Sequence, residues 1–362
     1  GGCATSPEQL IAARIGQGAM AGLMQPMGMY LVFRIFPRNR RGQAMGIYGM
    51  GVILAPALGP VLGGFLVDQL DWRYVMFAPV PVTLTGVFMA WRFLPLPVSR
   101  PAPYRFDFPG LVLLGAAIGL SLDTLNRLQE LAGQEARIAI EGAVAVIALV
   151  LFVIRERRAR HPLVNIELLR NPAFVYANVG AMALGLALFG STYLVPLFVQ
   201  TALEFTATEA GLLMLPAGIV LGMTFPLAGR LADRLSARKL VIFGIVLFAM
   251  SAMLFAVSDI ELAFGWLALW TVLGRIGIGF MLPALSTGAL NPLAPEQLGA
   301  GSSTINFTRQ LGGAFGVNIV ALTIEFGDHS GGIPTIGAFH SAWWLVAVFV
   351  AMAAIPVWKM RV

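Results

Sequence analysis

Hydrophobic and polar positions along the chain fall into long apolar blocks separated by short basic loops. Uncharged runs occupy residues 15–33, 42–67, 74–91, 171–203, 210–229, 240–258 and 341–358. Four further blocks contain charges, among them Asp123 in 106–126, Glu141 in 136–154, Arg275 in 262–290 and Arg309 in 299–324. A helix crossing the hydrocarbon of a bilayer needs about 20 apolar residues, whereas a barrel strand needs about 10 with strict alternation. The pattern therefore predicts eleven membrane-spanning helices, an all-α integral membrane protein. Prolines and glycines lie largely inside the blocks, which membrane helices tolerate where neighbours satisfy the freed backbone groups.

Composition agrees. The 362 residues are 58% hydrophobic and 12% charged, against roughly 45–50% and about 25% in soluble domains. So little polar surface excludes a soluble enzyme, a disordered chain and a nucleic-acid module. The net charge of +6 is explained by placement: 18 of the Lys and Arg residues fall in alternate loops (34–41, 92–105, 155–170, 230–239) and the C-terminus, and only Arg73, Arg127 and Arg137 in the others. That asymmetry puts the C-terminus in the cytoplasm and residue 1 outside. The expected partner is the lipid bilayer, with no role for nucleic acid. The single cysteine, Cys3, excludes an internal disulfide. His161, His329 and His340 are too scattered for a metal site, even with Asp328 beside His329. No nucleotide-binding loop and no clustered nucleophile, base or metal set is present, so no cofactor and no enzymatic activity are expected.

Residues Arg14-Ile15-Gly16-Gln17-Gly18-Ala19-Met20 reappear 261 positions later as Arg275-Ile276-Gly277-Ile278-Gly279-Phe280-Met281. Each copy opens the first helix of a three-helix group, and these two helices both run from outside to inside, a parallel repeat of two halves. Asp233 lies 42 residues before Arg275, and an equivalent acid in the first half would fall ahead of residue 1. The repeat predicts that about three helices and one such loop precede this sequence.

Several positions carry candidate chemistry. A charge within the bilayer is costly and usually faces the bundle interior or an aqueous cavity, which singles out Arg14, with Gln17 and Gly18 one turn along its face. The alternatives for Arg14 are a structural hydrogen bond or snorkelling from a helix end. Arg275, Gly279 and Arg309 are the second-half equivalents, and the two arginines are expected to be structural. Met20, Met24 and Met27 follow at helical spacing and suit either a cavity for varied ligands or plain packing. Gly51, Ala55, Gly59 and Gly63 recur every fourth residue, a face that admits close helix approach. Asp233 and Arg234 sit in a short loop where an acid near a helix start and arginines near neighbouring ends can form a charge clasp stable in one of two conformations. Positive-side anchoring explains Arg230, Arg238 and Lys239 but leaves Asp233 unexplained. Asp123 and Glu141 are the remaining acids in spans, either proton carriers or solvated groups near helix ends.

The arrangement Gly46, Gly51, Ala55, Gly59, Pro60, Gly63 and Gly64 resembles the antiporter motif of major facilitator superfamily drug exporters, with Ala55 replacing a glycine. Arg14-Ile15-Gly16-Gln17-Gly18 resembles that family's fourth-helix motif. The loop Gly229-Arg230-Leu231-Ala232-Asp233-Arg234 resembles its cytoplasmic signature, with Ser236 replacing a second glycine. Asp71-Trp72-Arg73, Gln200 and Ala207-Thr208-Glu209-Ala210-Gly211 further resemble the fourteen-helix EmrB/QacA-type drug:proton antiporters, in which Asn often stands where this chain has Pro79. The resemblance covers nearly the whole chain. It implies a major facilitator helical bundle with eleven of fourteen helices present. The implied division is the remainder of a first six-helix half at 1–95, a linker hairpin at 96–170 and a second half at 171–362.

For function it implies proton-coupled export of lipophilic or cationic drug-like compounds by alternating access, in the cell (inner) membrane. Arg14 would serve proton coupling with Gln17, Asp123 and Glu141; Gly229, Asp233, Arg234 and Arg238 would gate; and Met20, Met24, Met27 and Gln200 would line the substrate cavity. In a double-membrane bacterium a periplasmic adaptor and an outer-membrane channel are further expected partners. An exporter of a sugar, amino acid or other metabolite, a non-transporting truncated protein and a membrane-embedded enzyme are the alternatives.

Overall fold

The structure, a computed structural model, describes all residues except 53–65, 67–68, 95–105, 130–132, 160–161, 260–261, 328, 331–332 and 361–362. Ala55, Gly59, Pro60, Gly63 and Gly64 of the small-residue motif, together with Arg100, Arg105, Arg160, His161, Asp328 and Arg361, lie outside the described residues.

The apolar blocks fold as helices. In chain order these are α1 (Pro7–Ile35), α2 (41–52), α3 (Trp72–Phe77), α4 (Pro79–Phe93), α5 (Phe108–Arg127), α6 (Glu135–Glu156) and α7 (Ile166–Leu169). They continue with α8 (Pro172–Gly185), α9 (Ser191–Thr201), α10 (Ala207–Ala232), α11 (Ala237–Ala256), α12 (Phe264–Leu290), α13 (Leu298–Glu325), α14 (Ile336–Met352) and α15 (Ala354–Trp358). A two-residue antiparallel pair, β1 (His329–Ser330) with β2 (Ile333–Pro334), joins α13 to α14. Among the described residues, eight segments are long and apolar enough to cross a membrane: Trp72–Phe93, Phe108–Arg127, Glu135–Glu156, Pro172–Thr201, Thr208–Ala232, Ala237–Ala256, Phe264–Leu290 and Ile336–Trp358. Helices α1 and α13 have the length but carry amides and an arginine, and α2 is described only over 41–52.

Short polar side chains start several helices. Asp71 caps α3 by accepting from the Arg73 N–H at 2.9 Å, so Asp71-Trp72-Arg73 is a self-contained helix start with the Arg73 guanidinium 4.6 Å from the Trp72 ring centre. Thr206 and Glu209 form a reciprocal capping box at α10. Pro79 occupies the first turn of α4, where its missing N–H costs little.

The chain divides into two compact units, one of residues 1–25 and 55–106, the other of 26–54 and 107–362. In the first, the Arg73 guanidinium donates to the carbonyl of Ala4 at 3.4 Å, tying the N-terminal segment to α3. In the second, α12 is the most deeply buried helix, packed between α10 and α11. Gly244 of α11 and Gly277 of α12 permit this: a Cβ on either would collide with the other's carbonyl oxygen. Phe255 stacks on Trp343 of α14 at 4.5 Å between ring centres.

The helical path from α8 to α9 passes through one wide π turn, Leu186–Gly190, that periodicity did not predict. Hydroxyls take up the loosened carbonyls: Ser191 donates to Ala187 at 2.5 Å and Thr192 to Leu188 at 2.6 Å. Gly313 and Gly316 of α13 leave the room that Phe189 and Leu186 occupy.

The α5–α6 hairpin is clamped at both ends. At one, Asp107 caps α5 through the Gly110 N–H at 3.0 Å and receives the Arg155 guanidinium on both oxygens at 2.7–3.1 Å. At the other, Arg127 pairs with Asp123 at 2.9 Å and Glu141 at 3.0 Å, and Arg137 pairs with Glu141 at 2.7 Å. Between the clamps Val112, Ile140, Val146 and Ile147 are exposed, as suits lipid contact. The hydrogen bond from Arg155, followed by that from Gly110, holds the Asp107 carboxyl below the usual carboxylate range. Its stabilising contribution is therefore complete above the ordinary carboxylate pKa, about 4, and is lost as pH falls through the lower folded value. Thermal unfolding in detergent is expected to show an acid-side loss of stability in the native chain. The Asp107→Asn variant should start less stable and lose less on acidification.

Candidate functional site

The loop between α10 and α11 carries a built contact. The carboxylate of Asp233 reaches the first turn of α2, where the Gly42 N–H donates to Oδ1 at 2.6 Å and the Gln43 N–H to Oδ2 at 2.8 Å. These N–H groups belong to the helix start, which has no intrahelical acceptors for them and bears the positive end of the helix dipole. Asp233 thus supplies a charge-assisted cap from 190 residues away in sequence.

Glycines make the approach possible. A Cβ on Gly42 would strike the Gly229 carbonyl and the Asp233 carboxylate, and one on Gly46 would strike the Phe225 carbonyl. Gly229 is constrained in the same way by Gly42. The close face of α2 therefore runs through Gly42 and Gly46. Of the expected face through Gly51, Ala55, Gly59 and Gly63, only Gly51 is described, and it has open space around it. Two further contacts surround the clasp. Arg41 donates to Asn291 at the end of α12 at 3.2 Å, and Arg238 donates to the Trp358 carbonyl of α15 at 3.2 Å. Arg234, expected in the clasp, is exposed.

Arg14 donates to Gln17 Oε1 at 2.8 Å, as their spacing suggests, but both are exposed, not interior. Met20, Met24 and Met27 are exposed as well, and Gly16, Gly18 and Gly22 have open space where a Cβ would stand. Met29, two residues past Met27, lines a small cavity with Ser286, Asn306 and Arg309. Gln200 is exposed and donates to the Pro196 carbonyl at 3.1 Å.

The two copies of the repeat differ in setting. Arg275 is 5% exposed and donates to Thr192 Oγ1 at 3.0 Å. Gly279, one turn on, packs against Thr224 of α10. Arg309 is 8% exposed and donates to Asn306 Oδ1 at 2.6 Å. Asp123 and Glu141 are both engaged by arginines in the hairpin clamp described above.

The partners that sequence reasoning missed are Gly42, Gln43, Asn291, Thr192 and Trp358. Gly42 had a usable signal, standing one turn before Gly46. The others lie 83 or more residues from their partners, and such pairings leave no local pattern.

Comparison with known proteins places this geometry. Residues 1–317 match the Major Facilitator Superfamily. The multidrug export protein EmrB of Escherichia coli K12 is 33% identical over 325 residues, 88% of this chain and 62% of that protein. A multidrug resistance protein B homolog of Mycobacterium tuberculosis is 32% identical over 338 residues, 91% of this chain and 62% of that protein. The chain thus spans about three fifths of the length of these relatives. The crystal structure of the human organic anion transporter MFSD10 (TETRAN) aligns with a TM-score of 0.58 at 18% identity, over 92% of this chain and 66% of that one, which is agreement in fold. With the family match running through 317 of the 362 residues and the helical architecture in accord, the chain belongs to the major facilitator superfamily.

Proposed function

We propose that this chain works in proton-coupled export of lipophilic, drug-like compounds by alternating access, as a multi-pass protein of the cell (inner) membrane with its C-terminus in the cytoplasm. The observation that carries this reading is the Asp233 clasp on the start of α2. A carboxylate holding a helix end from a distant loop is a contact that can be complete in one conformation and absent in another. The basic loops at 34–41 and 230–239 then lie on the cytoplasmic side, so the clasp closes that side. The names of the EmrB and resistance-protein relatives support drug-like substrates. In a double-membrane host an adaptor and an outer-membrane channel complete the path.

Arg14 and Gln17 are assigned to proton coupling, because an arginine bonded to an amide within an apolar helix is costly to keep without use. Asp123 and Glu141 are assigned to holding the hairpin, since arginines already engage both. The test is reconstitution of the full-length protein in vesicles with an imposed pH gradient. Adding ethidium should release protons, and Arg14→Ala should slow that release by about tenfold, the loss of one charge-assisted interaction. Absence of any drug-dependent proton flux in the native protein would sink the antiport reading.

A further inference from the structure

We propose that Arg275, Trp343 and Thr192 form a subsite for a single carboxylate group. Arg275 is buried in α12 and uses one of its N–H groups on Thr192, though a guanidinium has five to place. Among the described residues no carboxylate lies within ion-pair distance of it. A buried cation without an anion is among the costliest arrangements in a protein interior.

The guanidinium borders a cavity of about 10 Å³ lined also by Ser251, Thr271, Phe255 and Trp343, room for one water-sized atom. The donors around it are unevenly committed. Ser251 donates to the Trp270 carbonyl at 2.6 Å and Thr271 to the Leu267 carbonyl at 2.8 Å. The indole N–H of Trp343, a residue 1% exposed, is buried with no hydrogen-bond partner among the described residues. Among the described residues lining the cavity, Arg275 and Trp343 thus have donors left uncommitted, and both require an acceptor. One carboxylate oxygen meets the size and supplies the missing charge. Water would leave the charge unmet. Thr192, the other partner of Arg275, is exposed at the surface of this unit, so the guanidinium edge lies one side chain from an approaching ligand. The carboxylate is either that of a free small acid or the acidic group of a lipophilic exported compound. The second case rests on the export reading and adds lipophilic acids and zwitterions to its substrates.

The test is equilibrium binding to the detergent-solubilised full-length chain, read as the rise in unfolding temperature on titration with formate, 2-naphthoate and neutral 2-naphthamide. Stabilisation by naphthoate and not by naphthamide is expected. Arg275→Gln should weaken it by about tenfold or more, the loss of a charge-assisted contact. Trp343→Phe keeps an aromatic ring against Phe255 and removes the indole N–H together with the second ring, so it should weaken binding several-fold, and it decides the matter if Arg275→Gln does not fold. Stabilisation by formate as well identifies a site for free carboxylates, whereas naphthoate alone identifies the acidic group of a larger compound. Equal effects of naphthoate and naphthamide, or native-like binding by Trp343→Phe, would overturn the proposal. No gradient is imposed, so a failure of proton-coupled export leaves this result unaffected, and a failure of binding leaves the export measurement unaffected.

Discussion

Asp233→Ala is expected to release the start of α2 and to shift the protein about a hundredfold toward the conformation in which the clasp is open. Two backbone N–H groups lose a charged acceptor, at 2.6 and 2.8 Å in the native chain. Hydrogen bonds to charged groups contribute about 1.5–3 kcal/mol each. Asp233 is partly exposed and water can take over part of its role, so a combined loss of about 3 kcal/mol is the reasonable scale, and 1.4 kcal/mol corresponds to tenfold. The measurement is labelling of a cysteine placed at Gln43 by a membrane-impermeant maleimide, in a Cys3→Ser background because Cys3 is exposed. The native clasp should keep labelling slow, and Asp233→Ala should accelerate it. Asp233→Asn keeps one acceptor oxygen and loses the charge, so it should fall between the two. Equal labelling rates in all three would remove the clasp from the mechanism.

The second large effect is steric. Gly46→Ala should cost about 3 kcal/mol and much of the folded protein, whereas Gly51→Ala, five residues on in the same helix, should be neutral or stabilising by up to about 1 kcal/mol. At Gly46 the new methyl meets the Phe225 carbonyl and the Pro226 backbone, which cannot rotate aside as a side chain would. At Gly51 it meets open space, and alanine is simply the better helix former. Size-exclusion chromatography of the solubilised variants reads the difference as the fraction that stays monodisperse. If the two variants behave alike, α2 does not approach α10 as closely as described.

These two glycines show how far sequence reasoning reached. Both stand in one motif, and nothing local separates them, since each is a small residue in an apolar run. Which of them touches a neighbour depends on the rotation of α2 about its own axis, and that is set by Asp233 and Gly229 from a distant loop. The repeat shows the same limit from the other side. Arg14 and Arg275 open nearly identical heptapeptides, yet one is exposed beside Gln17 and the other is buried against Thr192. The short-range pair was readable from its spacing of three. The long-range one depends on the π turn at Leu186–Gly190, which no periodicity announced.

By itself the sequence determined the things that depend on local composition: apolar runs long enough to span a bilayer, the basic loops between them, the helix starts at Asp71 and Thr206, and the family. Each follows from the cost of placing a given side chain or an unsatisfied backbone group in hydrocarbon, a cost paid residue by residue. Tertiary structure alone decided which acid caps which helix, which glycine is a contact and which merely a gap, and which arginine is buried. Those outcomes arise from helices many residues apart meeting at distances that their smallest side chains allow, and the energy of such meetings is not a property of any one segment.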